Sequence, residues 1–175
     1  MTDDRPLVVY VDDEFSNRLI FEQGFKSRFR IEVFGTAQEA LTRLDETPVA
    51  VLITDQRMPG MSGTELLRRA RERHPHTQRV IITAYEDPIP MLDALNDGLA
   101  ARYLVKPWAR EEVESVVNGC IEMWRLYTER GALQSRLAEI EKSMAAVKAA
   151  IDRGSLADAR VALEQLEKVR DSSRP

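Results

Sequence analysis

Short runs of aliphatic and β-branched residues recur along the first 130 positions, and between them apolar residues recur at helical spacing. The runs cover residues 7–11, 31–34, 49–54, 80–83 and 102–105. The segments between them place apolar residues three or four positions apart, as in Leu66, Leu67 and Ala70, or in Met91, Leu92 and Leu95. Strands that alternate with helices in this way form βαβ units and a parallel sheet. We predict an α/β domain with a five-stranded doubly wound sheet of order 2-1-3-4-5, as in flavodoxin-like folds.

Polar residues mark the ends of four of these strands. Asp12 and Asp13 follow the first strand, Asp55 follows the third, Thr83 closes the fourth and Lys106 follows the fifth. The carboxyl ends of parallel strands share one edge of the sheet, so these side chains should converge there. Clustered carboxylates repel one another and require a cation, and an all-oxygen ligand set favours a hard ion such as Mg²⁺. One carboxylate could then act as a nucleophile toward phosphorus, while the lysine and the hydroxyl stabilise the transferred group.

These motifs together resemble the receiver domain of bacterial two-component response regulators, the CheY-like family. The resemblance covers about residues 5–125 and is carried by Val11-Asp12-Asp13-Glu14, Asp55-Gln-Arg-Met-Pro-Gly-Met-Ser-Gly63, Thr83-Ala84 and Tyr103-Leu-Val-Lys106-Pro107. It implies that residues 1–125 are a phosphoacceptor domain. Asp55 would accept a phosphoryl group from a histidine kinase or a phosphotransfer protein.

The resemblance also implies a metal site. Mg²⁺ would be held by the carboxylates of Asp13 and Asp55 and by the backbone carbonyl of Arg57, while Asp12 would act through water. Gln56, Arg57 and Tyr85 occupy positions that vary in the family and tune the lifetime of the phosphate.

A further implication is a conformational switch. Thr83 and Lys106 would contact the phosphoryl oxygens, and Tyr103 would turn inward when Thr83 moves toward the phosphate. The Lys106–Pro107 peptide bond would be cis, which proline makes accessible. Taken singly, Thr83, Lys106 and Tyr103 could each be ordinary strand or surface residues.

Other interpretations of the acidic motif and of the histidines are weaker. Phosphatases of the haloacid-dehalogenase type carry Asp-x-Asp at the nucleophile, whereas Arg57 occupies the second position here. His74 and His76 flank Pro75 with no further His or Cys nearby in sequence, which favours a polar helix exit over a metal site. A scaffold that has lost phosphotransfer is disfavoured by the complete set of acidic residues.

The last helix of the receiver is predicted to begin near Trp108 and to run on almost unbroken to about Asp152, and beyond residue 125 it forms a tail. From Leu133 its apolar positions alternate in steps of four and three, which is the seam of a coiled coil, and Leu126 lies one heptad earlier. The seam residues are Leu126, Leu133, Leu137, Ile140, Met144, Val147 and Ile151. We predict that residues 126–175 form a helical dimerisation tail, with one helix to about residue 152, a turn at 153–155 and a second helix over 156–170. The alternatives are that the seam packs only against the second helix, or that two such hairpins form a four-helix bundle.

Composition limits the partners. The chain has 175 residues and a net charge of −4, and from Glu129 onward nine basic residues are balanced by eight acidic ones, which disfavours nucleic acid. No apolar stretch approaches the roughly 20 residues that cross a bilayer, and Cys120 is the single cysteine, so a cytoplasmic protein without membrane contact is expected.

Our interpretation is that the protein is a signalling switch and not an enzyme. The switch would act through a homodimer on an unidentified protein partner. The alternative is the N-terminal part of a larger regulator with an ATPase, cyclase, phosphodiesterase or DNA-binding output. The sequence around Lys106-Pro107-Trp108 looks most like receivers that precede ATPase or nucleotide-hydrolase outputs.

Overall fold

Five parallel strands form a single sheet in the order β2-β1-β3-β4-β5. The computed structural model describes residues 4–84 and 98–171, and the strands are β1 (Leu7–Val11), β2 (Arg30–Phe34), β3 (Val51–Asp55), β4 (Gln78–Ala84) and β5 (Arg102–Lys106). Every residue of β1 and β3 is buried, which explains why these strands are continuously apolar rather than alternating. The predicted fold class and strand order are confirmed.

Helices connect the strands and extend beyond the sheet. They are α1 (Phe15–Phe25), α2 (Ala37–Glu46), α3 (Gly63–Arg73), α4 (Arg110–Asp152) and α5 (Leu156–Asp171). The predicted helical segment with Met91, Leu92 and Leu95 lies outside the described residues, as does Tyr85. None of the helices in the described part of the chain combines the length and apolarity needed to cross a membrane.

The two faces of the sheet carry separate hydrophobic clusters. Alternate β1 residues point to opposite faces, so Leu7 and Val9 join the cluster that contains buried residues of α2 and α3. Val8 and Tyr10 join the cluster that contains buried residues of α1 and of the first part of α4. The free carboxyl edge of the sheet is therefore bordered by helices on both faces.

Side-chain caps fix the starts of α2 and α3. The Thr36 hydroxyl accepts a hydrogen bond from the Glu39 backbone N–H at 3.2 Å, and a Glu39 carboxylate oxygen accepts from the Thr36 N–H at 3.1 Å. This reciprocal pair is a capping box, and it starts α2 directly after β2. Ser62 caps α3 by accepting from the Glu65 N–H at 3.2 Å.

The chain divides into two compact units between Leu126 and Tyr127. In the second unit α4 ends at a turn where Gly154 has φ of 72°, a conformation that favours glycine. The Ser155 N–H donates to the Ala150 carbonyl at 3.0 Å, and the Ser155 hydroxyl accepts from the Asp158 N–H at 3.4 Å as α5 begins.

The predicted seam residues of α4 differ in how far they are buried within the chain. Ala150 on α4 and Ala159 and Ala162 on α5 are buried, and Ile140 and Val147 are partly covered. The remaining seam residues expose about three fifths of their surface: Leu126, Leu133, Leu137, Met144 and Ile151. The contacts that α4 makes within its own chain therefore leave a stripe of apolar side chains on α4 exposed to solvent.

Candidate functional site

Strand register brings the acidic residues and the lysine to the same edge of the sheet. Val11 pairs with Thr54, so Asp12 and Asp55 leave neighbouring strands side by side. On the other side of β3, Asp55 pairs with Ile82, one residue before Thr83. Ala84 pairs with Lys106 on β5. The convergence that the strand ends predict is therefore present.

Lys106 joins the two buried carboxylates. Its ammonium group lies 2.5 Å from Oδ1 of Asp55 and 3.0 Å from Oδ2 of Asp12. Burial alone would lower the pKa of Lys106, but the hydrogen bonds to Asp55 and Asp12 outweigh it and raise the pKa above its ordinary value. The lysine therefore carries a positive charge next to the carboxylate that would accept a phosphoryl group.

Asp12 is the most enclosed acid of the site, with 1% of its surface exposed. Its Oδ1 accepts from the Glu14 N–H at 2.9 Å, its Oδ2 accepts from the Tyr10 hydroxyl at 2.7 Å, and the Asn17 amide contacts both oxygens. Burial would raise the pKa of Asp12, but the donors from Tyr10 and Lys106 lower it below the usual range for aspartate. Burial, followed by the hydrogen bond to Asp12, raises the pKa of Tyr10, so this hydroxyl remains a donor.

The turn after β1 is held from α1. Nη1 of Arg18 donates to the carbonyl oxygens of Asp12 at 2.5 Å and of Asp13 at 2.9 Å. A side chain at Gly35 would come within 3.3 Å of the same guanidinium, so glycine leaves room for it. These contacts fix the backbone that presents Asp13, whose side chain is exposed.

The loop after β3 is shaped around Asp55. Oδ2 of Asp55 accepts from the Arg57 N–H at 2.7 Å. The Gln56 side chain accepts from the Thr64 hydroxyl at 2.8 Å and from its N–H at 3.1 Å, which ties the loop to the start of α3. A Cβ atom at Gly63 would collide with the Asp55 carbonyl oxygen, so this close approach requires glycine.

The two predicted switch residues, Thr83 and Tyr103, differ in their exposure to solvent. Thr83 is buried, and its hydroxyl donates to the Ala84 carbonyl at 3.1 Å. Tyr103 on β5 is 43% exposed and does not line the site. The Lys106–Pro107 peptide bond is cis, as predicted.

A pocket of about 180 Å³ lies at this edge of the sheet. Its lining consists of Asp12, Asp13, Glu14, Asn17, Asp55, Gln56, Arg57, Thr83, Ala84 and Lys106. The predicted phosphoacceptor Asp55 thus shares one cavity with Asp12, Asp13 and Lys106, whereas Tyr103 lies outside it.

The type of donor fits a hard divalent cation. Carboxylates from Asp13 and Asp55 and the backbone of Arg57 border the same pocket, and oxygen ligands suit Mg²⁺. Over residues 4–84 and 98–171, no three acidic, histidine or cysteine side chains are already grouped as metal ligands. Asp12 and Asp55 direct oxygens to Lys106 and to the other donors described above. Asp12, with both oxygens engaged, is the poorest candidate for direct contact with a metal.

The side chains that support the site do not stand out in the sequence. Tyr10 lies two residues before Asp12, on the same face of β1, and this strand period was the available signal. Asn17 and Arg18 lie in the first turn of α1, directly after the acidic pair. Gln56 was noted only as a variable position, although it anchors the loop of the phosphoacceptor.

Comparisons with known proteins agree with this geometry. The family model for the response regulator receiver domain matches residues 8–118. The hydrogenase transcriptional regulatory protein HoxA of Cupriavidus necator is 33% identical over 122 residues, which cover 70% of this chain and 25% of HoxA. The DNA-binding transcriptional regulator NtrC of Salmonella typhimurium is also 33% identical, over 69% of this chain and 26% of NtrC.

A solved structure described as an adenylate cyclase from Rhodopirellula baltica superposes with a TM-score of 0.72 at 27% identity, covering 75% of this chain and 98% of that one. The chain spans about a quarter of the length of the curated relatives named above. The sheet order, the acidic pocket with its lysine and the match over residues 8–118 lead to one conclusion: the chain belongs to the family of response regulator receiver domains of two-component signalling systems.

Proposed function

We propose that Asp55 is the phosphoacceptor of this receiver and takes its phosphoryl group from a histidine kinase or a phosphotransfer protein. The observation that carries the proposal is the contact of 2.5 Å between Lys106 and Asp55, at the wall of a pocket shared with Asp13 and Thr83. An oxygen of the Asp55 carboxylate would attack phosphorus, the bond from phosphorus to the donor's histidine nitrogen would break, and an acyl phosphate would form. The Lys106 ammonium and the Thr83 hydroxyl would then contact the phosphoryl oxygens.

Receiver domains generally bind Mg²⁺ at the phosphorylation site. In this chain we assign the metal to the carboxylates of Asp13 and Asp55 and the backbone carbonyl of Arg57, with Asp12 acting through water. The bound metal would neutralise charge on the phosphoryl group during transfer. The support is that the carboxylates of Asp13 and Asp55 line the same pocket as Arg57.

Output is proposed to pass through α4. This helix starts at Arg110 in the receiver and continues to Asp152 in the second unit. Movement of Thr83 toward the phosphate and of Tyr103 toward the interior would alter the receiver surface formed by β5 and the neighbouring helices. The exposed stripe of Leu133, Leu137 and Met144 would pair two chains, and phosphorylation would change that pairing.

A second candidate is supported by the coverage of the relatives. HoxA and NtrC are named as transcriptional regulators, and this chain spans about a quarter of each. In that case the receiver and its helical tail would regulate a further output module of a longer protein. Reading the gene beyond codon 175 distinguishes the two candidates.

The phosphoacceptor assignment is tested with acetyl phosphate and Mg²⁺, by measuring acid-labile phosphate on the intact chain. The wild-type protein should take up one phosphoryl group, and Asp55→Asn should take up none. Asp45→Asn serves as a matched control, because Asp45 is outside the pocket and pairs with Arg73 and His74. Uptake that persists in Asp55→Asn rejects the assignment.

A further inference from the structure

The buried carboxylate of Asp12 is surrounded by hydrogen-bond donors. Five donor contacts reach its two oxygens, from the Tyr10 hydroxyl, the Glu14 N–H, the Asn17 amide (two contacts) and the Lys106 ammonium. A carboxylate can rotate about its Cβ–Cγ bond unless its donors fix its plane. Donors on both oxygens fix that plane here.

Tyr10 is the most rigid of these donors. Its side chain is fully buried, and its ring stacks on Phe21 with centroids 4.1 Å apart and an angle of 16° between the planes. The hydroxyl is therefore held at the end of a side chain that cannot change rotamer without disturbing the core. Asn17, in contrast, is only partly buried at the pocket wall.

Oδ2 of Asp12 connects Tyr10 to the reacting group. The same oxygen that accepts from Tyr10 also accepts from Lys106, and Lys106 contacts Asp55. The orientation of the Asp12 carboxylate thus sets where the ammonium group rests. Asp12 also lines the same pocket as Asp13 and Asp55, so its orientation fixes an acceptor for the water molecules of a cation bound there.

We propose that Tyr10 is a positioning residue of the phosphotransfer site, which holds the Asp12 carboxylate and, through it, Lys106 in the arrangement that lets Asp13 and Asp55 bind Mg²⁺, with Asp12 contacting the ion through water. The inference rests on the proposed function, since it concerns the same pocket. Tyr10 touches neither the phosphoryl donor nor the pocket, because it is absent from the pocket lining. It acts through Asp12 alone.

The test compares Mg²⁺ binding by the whole chain, measured by isothermal titration calorimetry with MgCl₂. Tyr10→Phe keeps the ring and its stacking on Phe21 and removes only the hydroxyl. Partners of metal ligands contribute about tenfold or more to metal affinity, so we expect Tyr10→Phe to weaken Mg²⁺ binding about tenfold. Tyr127→Phe, the same chemical change at a tyrosine outside the site, should bind Mg²⁺ as the wild type does.

Two further measurements separate positioning from a purely structural role. Urea unfolding reports the stability of each variant, and a Tyr10→Phe chain with reduced stability but unchanged Mg²⁺ affinity overturns the inference. In the Asp12→Asn background, Tyr10→Phe should have no further effect on Mg²⁺ affinity, because the route runs through the Asp12 carboxylate. A full additional loss in that background also overturns it.

The wild-type titration keeps the two proposals distinguishable. If the wild-type chain neither binds Mg²⁺ nor takes up phosphate, the proposed function fails. If it does both and Tyr10→Phe matches it in Mg²⁺ affinity, only the role of Tyr10 fails.

Discussion

Among single residues, the charge state of Asp12 has a consequence for stability that can be measured without any ligand. Hydrogen bonds from Tyr10 and Lys106 overcome the effect of burial and hold its pKa below the ordinary value of about 3.9. A group whose pKa is lower in the folded chain stabilises the fold above its unfolded pKa. That contribution is lost as the pH falls through the folded pKa.

We therefore predict that the free energy of unfolding falls as the pH drops below about 4, and that Asp12→Asn reduces this dependence. Urea denaturation of the wild type and of Asp12→Asn at a series of acidic pH values measures this dependence of the unfolding free energy on pH. Parallel pH profiles for the wild type and Asp12→Asn would show that the carboxylate is not stabilised in the way its contacts indicate.

Gly63 gives a second prediction at the same scale. A methyl group there would collide with the Asp55 carbonyl oxygen, so Gly63→Ala should cost about 1–3 kcal/mol of stability, the usual cost of overpacking. It should also slow phosphorylation, because the backbone that presents Asp55 must shift. Gly24→Ala is the matched control: nothing lies within 4 Å of the added atom, and alanine is a better helix former than glycine in the last turn of α1, by at most about 1 kcal/mol. Equal unfolding free energies for the two variants would contradict the account.

At the scale of secondary-structure elements, side-chain caps decide where α2 and α3 begin. The capping box of Thr36 and Glu39 fixes the start of α2 directly after β2. Outside this box, α2 is also joined to β2 by Arg43, whose guanidinium contacts both carboxylate oxygens of Glu32 at 2.6 and 2.8 Å.

We predict that Thr36→Ala lowers the free energy of unfolding by about 1 kcal/mol, as loss of an N-cap generally does. Thr42→Ala, in the same helix, is the control. The Thr42 hydroxyl only donates back to the Gln38 carbonyl at 3.1 Å, a contact that does not help a helix. Chemical denaturation should separate the two variants, and a cost at Thr42 as large as that at Thr36 would count against the cap.

The elements also show what the sequence could and could not predict. Strand ends, helix period and capping residues are local features, so the sheet order, the converging acids and Lys106 followed from them. Contacts between side chains on different elements are not local. The hydrogen bond from Tyr10 to Asp12 and the anchoring of Gln56 on Thr64 depend on rotamers that the sequence alone does not specify. The sequence also did not predict which seam residues are covered within the chain, because the spacing on α4 does not specify which of its positions contact α5.

At the scale of the whole molecule, the question is how phosphorylation of Asp55 would affect the helical tail. The receiver and the second unit share α4, which provides a continuous covalent and hydrogen-bonded connection between them. Five seam residues remain largely exposed in the single chain. An apolar stripe of this kind on one helix is typical of an interface between chains.

We predict that the chain is a dimer in sedimentation velocity and that Leu137→Lys shifts it toward the monomer, since a charge in the seam must lose its hydration on pairing. Ala138→Lys, one residue along on the same helix and outside the seam, should leave the mass unchanged. Beryllium fluoride with Mg²⁺ should alter the wild-type profile. An unchanged mass in Leu137→Lys would rule out the seam as the interface, and no response to beryllium fluoride would rule out its coupling to Asp55.

The central claim is that one carboxylate of the pocket carries a labile phosphoryl group, and chemical trapping tests it most directly. The chain is phosphorylated with acetyl phosphate and Mg²⁺ and then reduced with borohydride, which converts an aspartyl phosphate to homoserine, and peptide masses locate the change. The account predicts homoserine at position 55 and at no other aspartate. Homoserine at Asp12 or Asp13 instead, or an unmodified Asp55 under conditions that phosphorylate the chain, would contradict it.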